Sequence, residues 1–177
     1  VQEDEIIEIG GSEFCDDTNH IHCMLPFPSG AFLDVDETRD TGYSLSIDGE
    51  AIPDTRSSVS DNMVILDRLD GFSPSTQIFT AFDEVPNITG MATQFDIGLS
   101  TMDGHSSILL NLDTGEKVHH WIELDARAQE DEETIIFLST IEGLDHNTPY
   151  DVGFRNLVDE QGTSILPSDG FKALIYV

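Results

Sequence analysis

The residues able to do chemistry fall into a few clusters. Asp34, Asp36 and Asp40, with Glu37 beside them and Gly42 after, make the densest acidic loop. Closely spaced carboxylates on a turn can supply several of the about 6–8 oxygens that calcium takes. The order is not that of an EF-hand, because glycine is not sixth and the closing glutamate is missing. Calcium, with Asp16 and Asp17 as further ligands, therefore stands beside a plain solvated turn. Cys15 and Cys23 close the run Cys-Asp-Asp-Thr-Asn-His-Ile-His-Cys. A short disulfide in an oxidising compartment accounts for them. A zinc site with His20 and His22 is the alternative, at a spacing that matches no common zinc module. His119, His120, Glu123 and Asp125 suggest a metal by type, but adjacent histidines on a strand point to opposite faces. A polar outer face carrying Trp121 is the simpler account of them. Neither Gly42-Tyr-Ser44-Leu-Ser46 nor Gly71-Phe-Ser73-Pro-Ser75 completes the Gly-x-Ser-x-Gly elbow of a serine hydrolase, so no residue is assigned a catalytic role. Asn87-Ile88-Thr89 is a glycosylation sequon.

Charge bounds the partners. The chain has 177 residues with 35 acidic and 7 basic side chains, a net charge of −28. Such a surface repels phosphate backbones and anionic lipid, which excludes nucleic acid and membrane surfaces as partners. It suits salty surroundings, where screening confines self-repulsion to about 8 Å or less. No apolar stretch is long enough to insert into a membrane. The acidic start lacks the basic region of a signal peptide, so a mature, processed N-terminus is expected.

The elements that must position these residues are strands. Tyr43, Leu45 and Ile47 alternate with polar residues before the turn Asp48-Gly49. Residues 63–66 form a short apolar run, and strands are expected at 78–82, 95–99 and 107–112, the last ending in the turn Asp113-Thr114-Gly115. Val118, His120, Ile122 and Leu124 share one strand face. Residues 129–133 make an acidic loop, and 134–141 are β-branched and apolar enough for a central strand. In Leu144-Asp-His-Asn-Thr148-Pro-Tyr150-Asp-Val152-Gly-Phe154 the spacing is that of a tyrosine corner, with the Tyr150 hydroxyl bonding back and Val152 and Phe154 alternating into the core. A terminal strand is expected at 171–177. The fold class is therefore all-β: an immunoglobulin-like β-sandwich of about seven strands over 75–177, with 1–74 an irregular, disulfide-stapled extension packed on it.

Two phrases carry a family resemblance. Cys23-Met-Leu-Pro26-Phe27-Pro28-Ser29-Gly-Ala-Phe32-Leu33 resembles the opening of the bacterial virulence-factor lipase N-terminal family. Leu66-Asp-Arg-Leu69-Asp70-Gly71-Phe72-Ser73-Pro74 is similar to that family's Leu-Asp-Gly-Phe-Ser segment. Thr114 to Asp125 is similar to stretches of large bacterial surface proteins, and the Tyr150 region to bacterial immunoglobulin-like domains. Gly30-Ala31 departs from the lipase members, which usually carry Asn-Asp or Asp-Leu there. In the lipase members this region precedes a separate hydrolase domain, so the resemblance implies an accessory or surface module and carries over no catalytic residue.

The expected function is a non-catalytic structural or adhesive module, extracellular or on the cell surface, with calcium as its candidate ion. Its partners are other proteins or copies of itself, met by strand addition at an exposed edge. The alternative is an accessory N-terminal domain of a secreted lipase or other hydrolase. A carbohydrate-binding module would want more exposed aromatics than Trp121.

Overall fold

The computed structural model describes residues 15–19, 21–48, 51–52, 66, 68–128 and 134–175. The acidic start, His20, Gly49, the run at 63–65, the loop at 129–133 and residues 176–177 lie outside the described residues. Among the described residues are seven antiparallel strands: β1 (Leu33–Val35), β2 (Tyr43–Leu45), β3 (Ile78–Thr80), β4 (Ser107–Asn111), β5 (His120–Leu124), β6 (Ile136–Thr140) and β7 (Tyr150–Phe154), followed by α1 (Asp169–Ile175). They form three small sheets, β1-β2, β3-β6-β5 and β4-β7. The all-β class holds, and β6 takes the central position that its β-branched composition favours.

The main core lies between the three-stranded sheet and the β4-β7 ribbon. Ser107, Leu109 and Asn111 alternate inward on β4, His120 and Ile122 on β5, and Ile136 and Leu138 on β6. Leu109, Ile122, Ile136 and Leu138 join Met91 and Leu157 in one buried cluster, against which Tyr150 and Phe154 pack. Each such side chain contributes about 1.5–3 kcal/mol by leaving water. Local chemistry ends β4: the Asn111 side chain accepts from the backbone of Asp113 at 3.0 Å and of Thr114 at 3.1 Å. Gly115 then takes φ +72°, where a side chain would be strained.

A second cluster gathers Phe32, Leu45, Ile47 and Ala51, with Phe27 and Phe72 packed against it. Phe72, Phe27, Phe79 and Phe137 form a row with centroid spacings of 5.3, 5.3 and 6.0 Å, which couples this cluster to the outer face of β3 and β6. Phe27, between two prolines that both follow cis peptide bonds, also exchanges backbone bonds with Phe79 at 2.9 and 2.7 Å. Cys15 and Cys23 form a disulfide. Inside its loop the buried Asp16 accepts from Thr18 and from Ser29.

Three expectations change. Among the described residues, 75–177 carries five strands where about seven were expected. Residues 95–99 were expected as a strand; instead a 3-10 turn runs over Ile97–Thr101, because Asp96, Leu99 and Met102 bond three residues back and leave no extended backbone to pair. Residues 171–177 were expected as a strand; Asp169–Ile175 is a helix. Lys, Ala and Leu are strong helix formers, and the helix start is tied down by the Ser168 hydroxyl donating to Thr18 O at 2.7 Å. Gly170 is required there, since a Cβ would lie 1.6 Å from Asp17 O.

Candidate functional site

The densest set of interacting polar side chains sits where β4, β5 and the 3-10 turn meet. His120 is fully buried, Ser107 nearly so, and Ser107 Oγ lies 2.8 Å from His120 Nε2. His120 Nδ1 is 2.8 Å from Val118 O, and a carbonyl only accepts, so Nδ1 carries the proton and Nε2 accepts from the Ser107 hydroxyl. His105 Nε2 accepts from the Ala92 N–H at 2.9 Å, which leaves its Nδ1 to donate to Ser107 O at 3.0 Å. The His120 N–H donates to Ser100 Oγ at 3.1 Å, and Ser100 Oγ donates to Ile97 O at 2.7 Å. Burial lowers the His120 pKa below its ordinary value; the Val118 carbonyl opposes this, and His105 and His119 add to it. A serine on an oriented imidazole is the geometry of an activated nucleophile. Here Ser107 is 2% exposed and the ring's second partner is a neutral carbonyl. The network therefore pins the 3-10 turn and the His105 loop onto the sheet.

Beside it opens a groove of about 500 Å³, lined in part by Asp103, His105, Ile108, Lys117, Gly153 and Arg155. Lys117 Nζ donates to Asp103 Oδ1 at 2.9 Å and to Thr101 O at 3.1 Å. The Lys117 hydrogen bond and charge, and then the Arg155 charge, hold the Asp103 carboxyl below its ordinary pKa. Arg155 Nε donates to His105 O at 3.0 Å.

Gly153 and Phe154 of β7 also line this groove. Bonds from Leu112 N to Pro149 O at 3.0 Å and from Arg155 N to Ser106 O at 2.9 Å set the phase of the ribbon. Residues 149, 151, 153 and 155 thus turn their backbone toward β4, and Tyr150, Val152 and Phe154 turn theirs away. Those outward groups have no backbone partner among the described residues. The other edges are engaged at least in part: β3 pairs with Phe27, the His120 and Ile122 N–H groups of β5 donate to Ser100 Oγ and Ala92 O, and β4 pairs with residues 116–118. The open edge of β1 is confined to a strand of three residues. Val152 is 41% exposed. Tyr150 Oη accepts from the Asp145 N–H at 2.9 Å and lies 3.3 Å from Asn111 Nδ2, so the start of β7 is held rigidly.

The remaining candidates lie apart. Among the described residues no group of three His, Cys, Asp or Glu side chains comes together to hold a metal, so Asp34, Asp36 and Asp40 do not converge there. Asp36 accepts from Thr38 N at 3.0 Å, from Thr38 Oγ1 at 2.6 Å and from Arg39 Nε at 3.2 Å, which lowers its pKa. Asp34 and Asp40 face solvent. Asn87 is half-buried in a loop, its side-chain oxygen accepting from Thr89 N at 2.9 Å. Trp121 Nε1 donates to Glu123 at 2.8 Å on the outer face of β5, where His119 is exposed. The Ser107–His120 network was invisible in the sequence as a pair; its one signal was the inward position of His120 beside Ile122. No protein-family model, curated protein or solved structure matches the chain.

Proposed function

We propose that the chain is a non-catalytic structural or adhesive module of an extracellular or cell-surface assembly, an immunoglobulin-like sandwich that joins a neighbour by strand addition at β7. The observation that carries this is the outer edge of β7, which no described residue pairs with. Among the described residues β7 keeps three outward residues without a backbone partner and an exposed valine in their middle, whereas β4 and β5 each have bonds on both edges. An unpaired edge of this kind is a template for another strand. The disulfide fits an oxidising compartment. Two antiparallel layers around one core, with Tyr150 bonded back to Asp145, support the sandwich class.

The test is sedimentation velocity from micromolar to millimolar protein, for the native chain and for Val152→Pro. The substitution removes an N–H that points away from β4, so the ribbon keeps its internal ladder. The native chain is expected to form larger species as concentration rises, and the variant is expected not to. Added salt strengthens the association, because it screens the repulsion between chains of charge −28. A chain that stays monomeric at every concentration and salt overturns the proposal.

A further inference from the structure

We propose that Asn87 carries an N-linked glycan, added as the chain leaves the cell. The proposal rests on the extracellular location in the reading above and is independent of the β7 edge.

Asn87-Ile88-Thr89 is the one place in the sequence where serine or threonine stands two residues after an asparagine. The turn that holds it is anchored at its base and open at its tip. The Asn87 N–H donates to Val158 O at 2.8 Å, and the Met91 N–H returns to Ile88 O at 3.0 Å. Ile88 packs against the main core, while Thr89 and Gly90 are exposed.

One bond orients the Asn87 carboxamide. A backbone N–H only donates, so the side-chain atom 2.9 Å from Thr89 N is Oδ1. Oδ1 and Nδ2 share one planar carbon, so Nδ2 is turned away from Thr89 N. Among the described residues Nδ2 has no hydrogen-bond partner, and no buried side-chain nitrogen or oxygen there lacks one. Nδ2 is therefore open to water. The two buried asparagines differ: Asn19 Nδ2 donates to Ala81 O at 3.0 Å, and Asn111 Nδ2 lies 3.3 Å from Tyr150 Oη. A sugar on either would break a bond within the fold, whereas one on Asn87 breaks none. The exposed Thr89 supplies the hydroxyl by which a transferase reads the third position.

The acceptor sets the donor class. A carboxamide nitrogen is a weak nucleophile, so the sugar must arrive activated, as a lipid-linked oligosaccharide phosphate. The bond from Nδ2 to the sugar C1 forms as the bond from C1 to the phosphate oxygen breaks. The lipid phosphate leaves with the electron pair, and the proton lost by Nδ2 passes to a base of the transferase.

The experiment isolates the full chain from the cells that make it and reads the mass of its tryptic peptide 69–117, which holds Asn87 between the cleavages after Arg68 and Lys117. The peptide is expected to carry the added mass of a glycan. Thr89→Ala, made in the same cells, is expected to lose that mass, and Thr89→Ser to regain it. Both substitutions keep the backbone N–H that holds Oδ1, so the turn is preserved. A native peptide of unmodified mass overturns the proposal. So does a glycan that persists in Thr89→Ala, because it is then attached elsewhere. A chain without glycan that still associates through β7 leaves the proposed function standing and removes this inference alone. A glycosylated chain that stays monomeric does the reverse.

Discussion

Acid should loosen this protein through His120. The ring is fully buried, its Nδ1 proton is on Val118 O, and its Nε2 accepts from Ser107. A second proton on Nε2 would face the Ser107 hydroxyl in an interior that already contains His105, whose ring centroid is 6.0 Å away. Burial is the main reason that the pKa lies below the ordinary 6.5. The unfolded chain therefore takes up a proton as pH falls through 6.5 while the folded ring stays neutral. The stability that the neutral ring provides is present above 6.5 and drains away toward the lowered folded pKa. One proton taken up only by the unfolded state costs at most about 1.4 kcal/mol per pH unit. Between about pH 7.5 and about pH 5.5 the integrated loss is then about 1.4 kcal/mol if the ring stays neutral. Urea unfolding at a series of pH values in that window measures it, at a salt concentration high enough to damp the surface charge. His120→Asn keeps a donor for Val118 O and removes the titration, so it should start less stable but lose the His120 part of the slope. A native chain with flat stability over the window, or a variant with an unchanged slope, refutes the reasoning.

Three further outcomes follow from packing. Leu138→Ala, at a side chain 2% exposed in the centre of the sheet, should cost about 2–5 kcal/mol in denaturant unfolding. Tyr150→Phe deletes the bond to the Asp145 N–H and should cost about 1 kcal/mol while leaving the far-ultraviolet spectrum unchanged. Gly170→Ala puts a Cβ into the Asp17 carbonyl, so α1 must shift from the disulfide loop; proteolysis near 168 should accelerate, and a cleavage rate equal to the native chain's would count against that contact.

Local pattern is written into the chain itself: alternation at 118–124 and 150–154, and apolar or β-branched runs at 107–112 and 134–141, read as strands, and strands stand at 107–111, 120–124, 136–140 and 150–154. The cysteine pair was equally legible, because eight residues close a loop by local geometry alone. Alternation misled at 95–99, where Phe95, Ile97 and Leu99 mimic a strand but short-range backbone bonds close a 3-10 turn. It misled again at the end of the chain, where helix-forming residues settle against Asp17 and Thr18, some 150 positions away. Val152 shows the same limit within a strand: its position faces the core layer, yet it remains 41% exposed, with no further strand pairing β7 among the described residues. The acidic turn around Asp36 reads in sequence as either a solvated turn or a calcium loop, and the bonds from Thr38 and Arg39 that hold its central carboxylate are not legible there. Sequence alone thus determined what each segment could form from its near neighbours. Which histidine is sealed in the core, which carboxylate is already bonded and which strand edge stays open depend on residues far apart in the chain, and those only the tertiary structure decided.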